Sequence, residues 1–246
     1  MSTNLEVGIV GLPNVGKSTL FNAITKAGAE AANYPFCTIE PNVGVVDVPD
    51  HRLNVLSDMV KARRIVPAAM RFVDIAGLVK GASKGEGLGN KFLAHIREVD
   101  AVAQVVRCFE DGNITHVEGS IDPLRDIEII NTELCLADME SVEKRMERLT
   151  KLLKTGDKKA VLEKACMEKV LEGLGDAIPA RRLGLTDDEK EFLKELHLLT
   201  MKPVLYITNV AESEVADPSG NVHVQAVTKY AAEEGAEVII VSAKME

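Results

Sequence analysis

The chain has 246 residues, enough for one large α/β domain or for such a domain with an insertion. Its net charge of -9 at pH 7 argues against a whole-surface attraction to nucleic acid or to acidic membranes. The N-terminus lacks a signal-peptide pattern, and the cysteines have no C-x-x-C spacing. We therefore expect a cytoplasmic protein with reduced thiols, with no membrane partner and no direct binding to DNA.

A phosphate-binding motif follows the first apolar run, which predicts a strand over 6–11. The motif reads GLPNVGKS over residues 11–18, and helical spacing continues after it. Successive backbone N–H groups of such a loop point at an anion, the lysine reaches the terminal phosphates, and the serine hydroxyl coordinates magnesium. The predicted phosphate-binding residues are Asn14, Val15, Gly16, Lys17, Ser18 and Thr19, with Ser18 also a predicted magnesium ligand.

Further apolar runs rich in Val and Ile predict strands over 43–48, 71–75, 101–109, 204–209 and 237–241. Strands that are apolar on both faces are typical of a mainly parallel sheet flanked by helices. Asp74 ends one of these strands and begins the motif Asp-Ile-Ala-Gly. Its carboxylate is predicted to hold magnesium, and the Gly77 amide to contact the γ-phosphate. Thr38, in the loop before the second strand, is a further predicted magnesium ligand; an ordinary loop threonine is the alternative.

Residues 126–200 have a different pattern. Apolar residues recur at three- to five-residue intervals over 126–153, a turn is predicted at 154–157, and helical spacing returns over 158–174. We interpret this region as an antiparallel helical arm inserted into a nucleotide-binding domain made of residues 1–125 and 201–246. The alternative is that these helices simply pack on the sheet.

Two motifs near the C-terminus are predicted to contact the base. Asn209-Val210-Ala211-Glu212 follows the fifth strand and Ser242-Ala243 follows the sixth. GTPases of this arrangement have Asn-Lys-x-Asp at the first position, with an aspartate that accepts two hydrogen bonds from guanine. Glu212 is one methylene longer and Val210 replaces the lysine, so guanine specificity is in doubt. We expect ATP to bind at least as well as GTP.

The motif order GLPNVGKS, PFCTIEPN, DIAGLVKGASKGEGLGN, NVAE and SAK resembles the YchF family of Obg-related P-loop NTPases, also called Obg-like ATPases. The resemblance implies a GTPase-like α/β fold with a coiled-coil arm, ATP hydrolysis with Mg²⁺, and a ribosome or ribosome-associated protein as partner. It also implies a final helix and a C-terminal TGS domain, both of which we expect to lie outside this sequence.

The sequence offers more than one candidate for the group that catalyses hydrolysis. Leu78 stands where Ras-like enzymes have a water-orienting glutamine, which predicts slow turnover. His116, in the loop after the fourth strand, is one candidate replacement; a loop histidine without a catalytic role is the alternative. Within the resemblance, Asn14 is associated with a potassium ion beside the phosphates. Its alternative role is to stabilise the loop by bonding to the backbone.

The sequence therefore predicts a magnesium-dependent ATPase that regulates a partner according to its nucleotide state. Two other functions stay open at this point: a GTP-specific switch, and a nucleotide-dependent binding module whose hydrolysis is incidental. A small-molecule phosphotransferase is disfavoured because no arginine-rich lid can be recognised in the sequence.

Overall fold

The computed structural model describes residues 5–29, 42–75, 88–111, 119–153 and 158–245. The strands in these ranges are β1 (Leu5–Val10), β2 (Val43–Asp47), β3 (Ala69–Asp74), β4 (Ala101–Arg107), β5 (Val204–Asn209) and β6 (Glu237–Val241). The α-helices are α1 (Lys17–Ala29), α2 (His51–Val60), α3 (Leu88–Glu98), α4 (Pro123–Leu153), α5 (Lys158–Gly175), α6 (Asp187–Leu193) and α7 (Val222–Glu234). None of the helices in the described part of the chain has the length and apolar character that crossing a membrane requires.

The strands form one sheet in the order β2-β3-β1-β4-β5-β6. Only the β2–β3 pair among these strands is antiparallel, so the predicted mainly parallel sheet is confirmed. β4 ends at Arg107, two residues earlier than predicted, because its pairing with β5 ends where Arg107 faces Asn209. The Cys108 N–H still donates to the Asn209 carbonyl of β5 at 2.8 Å, and Phe109 lies beyond this last contact.

The parallel strands bring their carboxyl ends to one edge of the sheet, which is where ligands bind in open α/β folds. Val10, Asp74, Asn209 and Val241 all end strands at this edge. β2 runs in the opposite direction, so its amino end reaches the same edge, and the Asp74 N–H donates to the Asn42 carbonyl at 2.8 Å. The predicted phosphate-binding and base-binding motifs consequently meet at one side of the molecule.

Helices cover the sheet through two apolar clusters. Adjacent residues of a strand point to opposite faces, and Val105 and Val106 of β4 accordingly join different clusters. The first cluster includes α1 and α3 side chains such as Leu20 and Phe92, and the second includes Val227 of α7. Helix packing on both faces makes the strands buried, as their apolar sequences predict.

Helix α4 packs on the sheet at one end and in a separate helical core at the other. Ile127 and Ile130, near its start, are buried against the sheet, whereas Leu149, near its end, is buried with residues of α5. The Arg145 Nε of α4 donates to the Glu163 carboxylate of α5 at 2.6 Å. Helix α4 therefore packs on the sheet near its start and on α5 near its end. The division of the chain into domains near residue 126 stays a prediction.

Candidate nucleotide-binding site

The motif at residues 11–18 forms a curled loop between β1 and α1. Gly16 has a φ of 95° and Asn14 a φ of 66°, both in the left-handed region that glycine and, less readily, asparagine adopt. The Gly16 carbonyl accepts the Leu20 N–H at 3.0 Å, which is the first turn of α1. The buried Val15 side chain anchors the loop in the core, while Ser18 and Thr19 are exposed. The loop can thus turn its N–H groups toward a phosphate at the positive end of the helix.

Asn209 connects this loop to the motif after β6. Its side chain is buried, and its Nδ2 donates to the Val15 carbonyl at 2.9 Å. Its Oδ1 accepts the backbone N–H of Ala243, also at 2.9 Å. A single amide therefore holds the phosphate-binding loop and the Ser242–Ala243 segment together, which explains why an asparagine is suited to the end of β5.

We expect Gly16→Ala to destabilise the chain by about 2 kcal/mol or more and to weaken nucleotide binding strongly. An alanine is strained at the left-handed φ of residue 16, and its methyl group would also collide with the Nδ2 of Asn209. Gly235→Ala is a matched control, because Gly235 has a φ of 71° but has open space where its Cβ would lie. The control should lose about 1 kcal/mol and keep its nucleotide affinity. Thermal unfolding and nucleotide titration of both variants test this, and equal affinities would contradict it.

The phosphate end of the site is a cavity of about 610 Å³ lined by Asn14, Lys17, Ser18 and Asp74, among others. The Lys17 ammonium and the Asp74 carboxylate form an ion pair inside it, and both side chains are mostly buried. The Ser18 hydroxyl and the Asp74 carboxylate are hard oxygen donors, the type that magnesium prefers. The cavity therefore has the residue types that a magnesium–phosphate complex requires.

A second cavity, of about 800 Å³, adjoins the first through Asn14, Gly16 and Thr19, which line both. Its other lining residues include the two predicted base motifs, at 209–212 and 242–244. Val210 is only 2% exposed and packs into the apolar core, so it cannot extend over a base as a lysine stem does. The Glu212 carboxylate is bonded to the Lys244 ammonium at 3.1 Å. The two cavities share lining residues and form one groove, whose ends we call the phosphate end and the base end after the predicted motifs that line them.

The sequence prediction missed one wall of the base cavity, formed by Phe109, Glu110 and Asp111. The fourth strand predicted over 101–109 includes Phe109, which lies beyond the end of β4 in the structure. Arg107 was also missed, although a charged residue within an otherwise apolar run was a usable signal. Beside this wall, burial raises the pKa of the Cys108 thiol to about 12, so the thiol remains protonated and unreactive at neutral pH.

Three of the predicted site residues lie outside the described residues: Thr38, Gly77 and His116. Leu78, which bears on the catalytic question, is also outside them. The remaining predicted residues all lie at the groove or directly support it. Among the described residues no group of three or more His, Cys, Asp or Glu side chains could hold a metal ion.

Comparison with known proteins agrees with this geometry. Residues 6–161 match the family model described as 50S ribosome-binding GTPase. The chain belongs to this family. Within it, the "Ribosome-binding ATPase YchF" of Bacillus subtilis is 62% identical over 242 residues, and that of Escherichia coli O157:H7 is 56% identical over 241 residues. These similarities place the chain in the YchF branch, as its motif order predicts.

A solved structure described as the YchF GTPase of Schizosaccharomyces pombe is similar to the chain, with a TM-score of 0.81 and 43% identity. The match covers 98% of this chain and 66% of the yeast protein. The chain likewise spans 66% of the length of the two bacterial YchF relatives. The P-loop GTPase fold is therefore shown for this chain. The YchF relatives contain about a third more of their own length than the chain matches.

Proposed function

We propose that this chain binds a magnesium–nucleoside triphosphate in the groove, hydrolyses it slowly, and prefers ATP to GTP. The observation that carries the proposal is the bridge made by Asn209, which joins the phosphate-binding loop to the base motifs so that one ligand can span both cavities. The bacterial relatives are named ATPases and the yeast relative is described as a GTPase, so the base preference has to be argued from the site itself.

The base end of the groove supports adenine over guanine. Guanine presents adjacent N–H donors, which a carboxylate accepts only when both of its oxygens are correctly placed. Here the Glu212 side chain is one methylene longer than an aspartate, which displaces its carboxylate, and it forms an exposed ion pair with Lys244. Adenine presents an amino group, for which a backbone carbonyl near Val210 is a sufficient acceptor. The proposed base contacts are Asn209, Val210, Glu212, Ser242 and Ala243.

Titration with ATP, GTP and ADP in the presence of magnesium tests the base preference. We expect ATP to bind more tightly than GTP, because misplaced hydrogen-bonding partners cost discrimination steeply. Glu212→Asp should shift the preference toward GTP, since it restores the aspartate of the Asn-Lys-x-Asp pattern and leaves the core residue Val210 unchanged. A wild-type chain that binds GTP far more tightly than ATP would refute the proposed specificity.

Magnesium is proposed to be held by Ser18 and Asp74 at the phosphate end, with Thr38 as a further ligand. When bound, the ion would neutralise charge that develops on the transferring phosphate. Few protein ligands are typical of magnesium sites, where water and phosphate oxygens supply the rest. The Lys17–Asp74 ion pair must separate when the magnesium–nucleotide complex binds. Lys17 then pairs with phosphate, and Asp74 holds the magnesium ion.

Leu78 stands where Ras-like enzymes have a water-orienting glutamine, and we propose two groups that could take over its role. One is His116 acting on water, and the other is a potassium ion held by Asn14. The exposed Asn14 lies where both cavities meet. If potassium supplies the charge, ATP hydrolysis should be faster in potassium chloride than in sodium chloride at equal ionic strength. If His116 is catalytic, His116→Ala should lower kcat about 100-fold. Equal rates in the two salts would exclude the potassium role, and an unchanged rate in His116→Ala would exclude the histidine.

The proposed partner is the ribosome or a ribosome-associated protein, contacted through the helices α4 and α5. The family description and the names of the bacterial relatives support this partner. A location in the cytoplasm follows from the same proposal. Co-sedimentation of the chain with purified ribosomes, in the presence of ATP and then of ADP, measures whether nucleotide state controls the interaction.

A further inference from the structure

Arg107 is among the largest side chains that the described residues bury almost completely, with 1% of its surface exposed. It is the last residue of β4, and Val105, Val106 and Cys108 beside it are buried apolar residues. Burial of a guanidinium is costly unless its N–H donors are bonded. Its contacts should therefore indicate why a charged residue occupies this position.

Two hydrogen bonds and a ring contact connect Arg107 to the wall of the base cavity. Its Nε donates to the Phe109 carbonyl at 3.1 Å, and one terminal nitrogen donates to the Asp111 carbonyl at 3.4 Å. The guanidinium carbon lies 4.5 Å from the centre of the Phe109 ring, in a cation–π contact. Since Phe109 and Asp111 line the cavity and Arg107 is almost fully buried, the guanidinium lies behind this wall.

The position of Arg107 matches that of Asn209 on the neighbouring strand. The two residues are Cα partners in the β4–β5 pair, and the Cys108 N–H donates to the Asn209 carbonyl at 2.8 Å. Asn209 holds the Ser242–Ala243 side of the cavity, and Arg107 holds the Phe109–Asp111 side. The two polar residues at the ends of adjacent strands thus each organise one wall.

We propose that Arg107 is a positioning residue for the purine base, acting through Phe109; this rests on the nucleotide binding proposed above. A ring that is already fixed loses little freedom when a flat base stacks on it. The cation behind the ring also draws electron density away from the cavity side, which favours contact with the π face of a purine. Because adenine and guanine both offer such a face, Arg107 supports affinity for either base without selecting between them.

The test is the affinity of Arg107→Met for ATP, GTP and inorganic tripolyphosphate, each with magnesium, measured by calorimetry. Methionine keeps much of the apolar stem but removes the charge and the forked donors. We expect ATP and GTP to bind about tenfold more weakly, by the same factor, while tripolyphosphate binds as in the wild type. In hydrolysis assays the loss should appear in KM for ATP rather than in kcat.

Arg107→Lys should recover part of the affinity, since it keeps a cation near the ring but cannot bond two carbonyls. If Arg107→Met does not fold, the ratio of ATP to tripolyphosphate affinity in Arg107→Lys decides the question. Phe109→Leu should reproduce the loss, and the double variant with Arg107→Met should lose no more than either single one. Arg71→Met is the control, because Arg71 is also a strand arginine but pairs with Glu6 at 3.1 Å, outside the cavity.

Unchanged nucleotide affinity in both Arg107 variants would overturn the proposal. An equal loss of tripolyphosphate affinity would also overturn it, because the arginine would then act on the whole fold or on the phosphate end. The outcome is separable from the test of base preference: a chain that favours GTP contradicts the proposed ATP specificity, yet a common loss of ATP and GTP affinity still supports the role of Arg107.

Discussion

Lys17→Met should lower kcat/KM for ATP hydrolysis by a factor of about 100 or more. The Lys17 ammonium lies in the phosphate-end cavity, and its side chain is 11% exposed. In this partly desolvated position a charge interacts strongly with the terminal phosphates of the nucleotide. Methionine has a similar length but no charge, so the loop keeps its shape while the phosphates lose their cation.

The same substitution also removes the partner of the Asp74 carboxylate, which is 14% exposed. A loss of stability could therefore be mistaken for a loss of catalysis. Lys169→Met is a suitable control, since Lys169 pairs with the Glu189 carboxylate at 3.0 Å on the helical region, away from the groove. Steady-state hydrolysis and thermal unfolding of both variants separate the two effects. Normal ATP hydrolysis by Lys17→Met would contradict the assignment of the phosphate end.

Asn209→Ala should lower the free energy of unfolding by about 3 kcal/mol and weaken nucleotide binding by a factor of about 100. The substitution leaves the buried Val15 carbonyl and the Ala243 N–H without the partner that they have in the wild type. Each unsatisfied buried backbone group costs about 1–3 kcal/mol. Without the bridge, the phosphate-binding loop and the base motif are no longer held in one arrangement, so binding has to order them.

Thr200→Val provides the matched control for Asn209→Ala. The Thr200 hydroxyl is also a buried bridge: it accepts the Ala180 N–H at 3.1 Å and donates to the Asp138 carboxylate at 2.7 Å. These partners lie outside the groove, so the control should lose stability while nucleotide affinity changes little. Chemical denaturation gives the free energy of unfolding, and calorimetric titration gives the affinity. If both variants lose affinity equally, the bridge has no specific role in the site.

The Asn209 bridge illustrates what a sequence pattern can and cannot predict. The position of Asn209 at the end of an apolar strand, with Glu212 three residues later, is enough to predict a base-binding motif. Its bonds to Val15 and Ala243 join residues that are far apart along the chain. Such contacts depend on the order of strands in the sheet, which local periodicity does not encode.

Helix α4 shows a similar limit. Its apolar spacing predicted a long amphipathic helix, and the helix is present from Pro123 to Leu153. Periodicity indicates that one face is buried but not which partner buries it. Only the folded chain shows that the first part of this face packs on the sheet, through Ile130, and that the later part packs on α5, through Leu149.

Short motifs and local apolar patterns in the sequence predict the phosphate-binding loop, the six strands, the mainly parallel sheet and the YchF resemblance. The folded chain adds how the groove is built. It placed Val210 in the core, paired Glu212 with Lys244, and set Arg107 behind Phe109. A wall of a binding site consists of side chains from separate segments of the chain. Their packing depends on the whole fold rather than on neighbours in sequence.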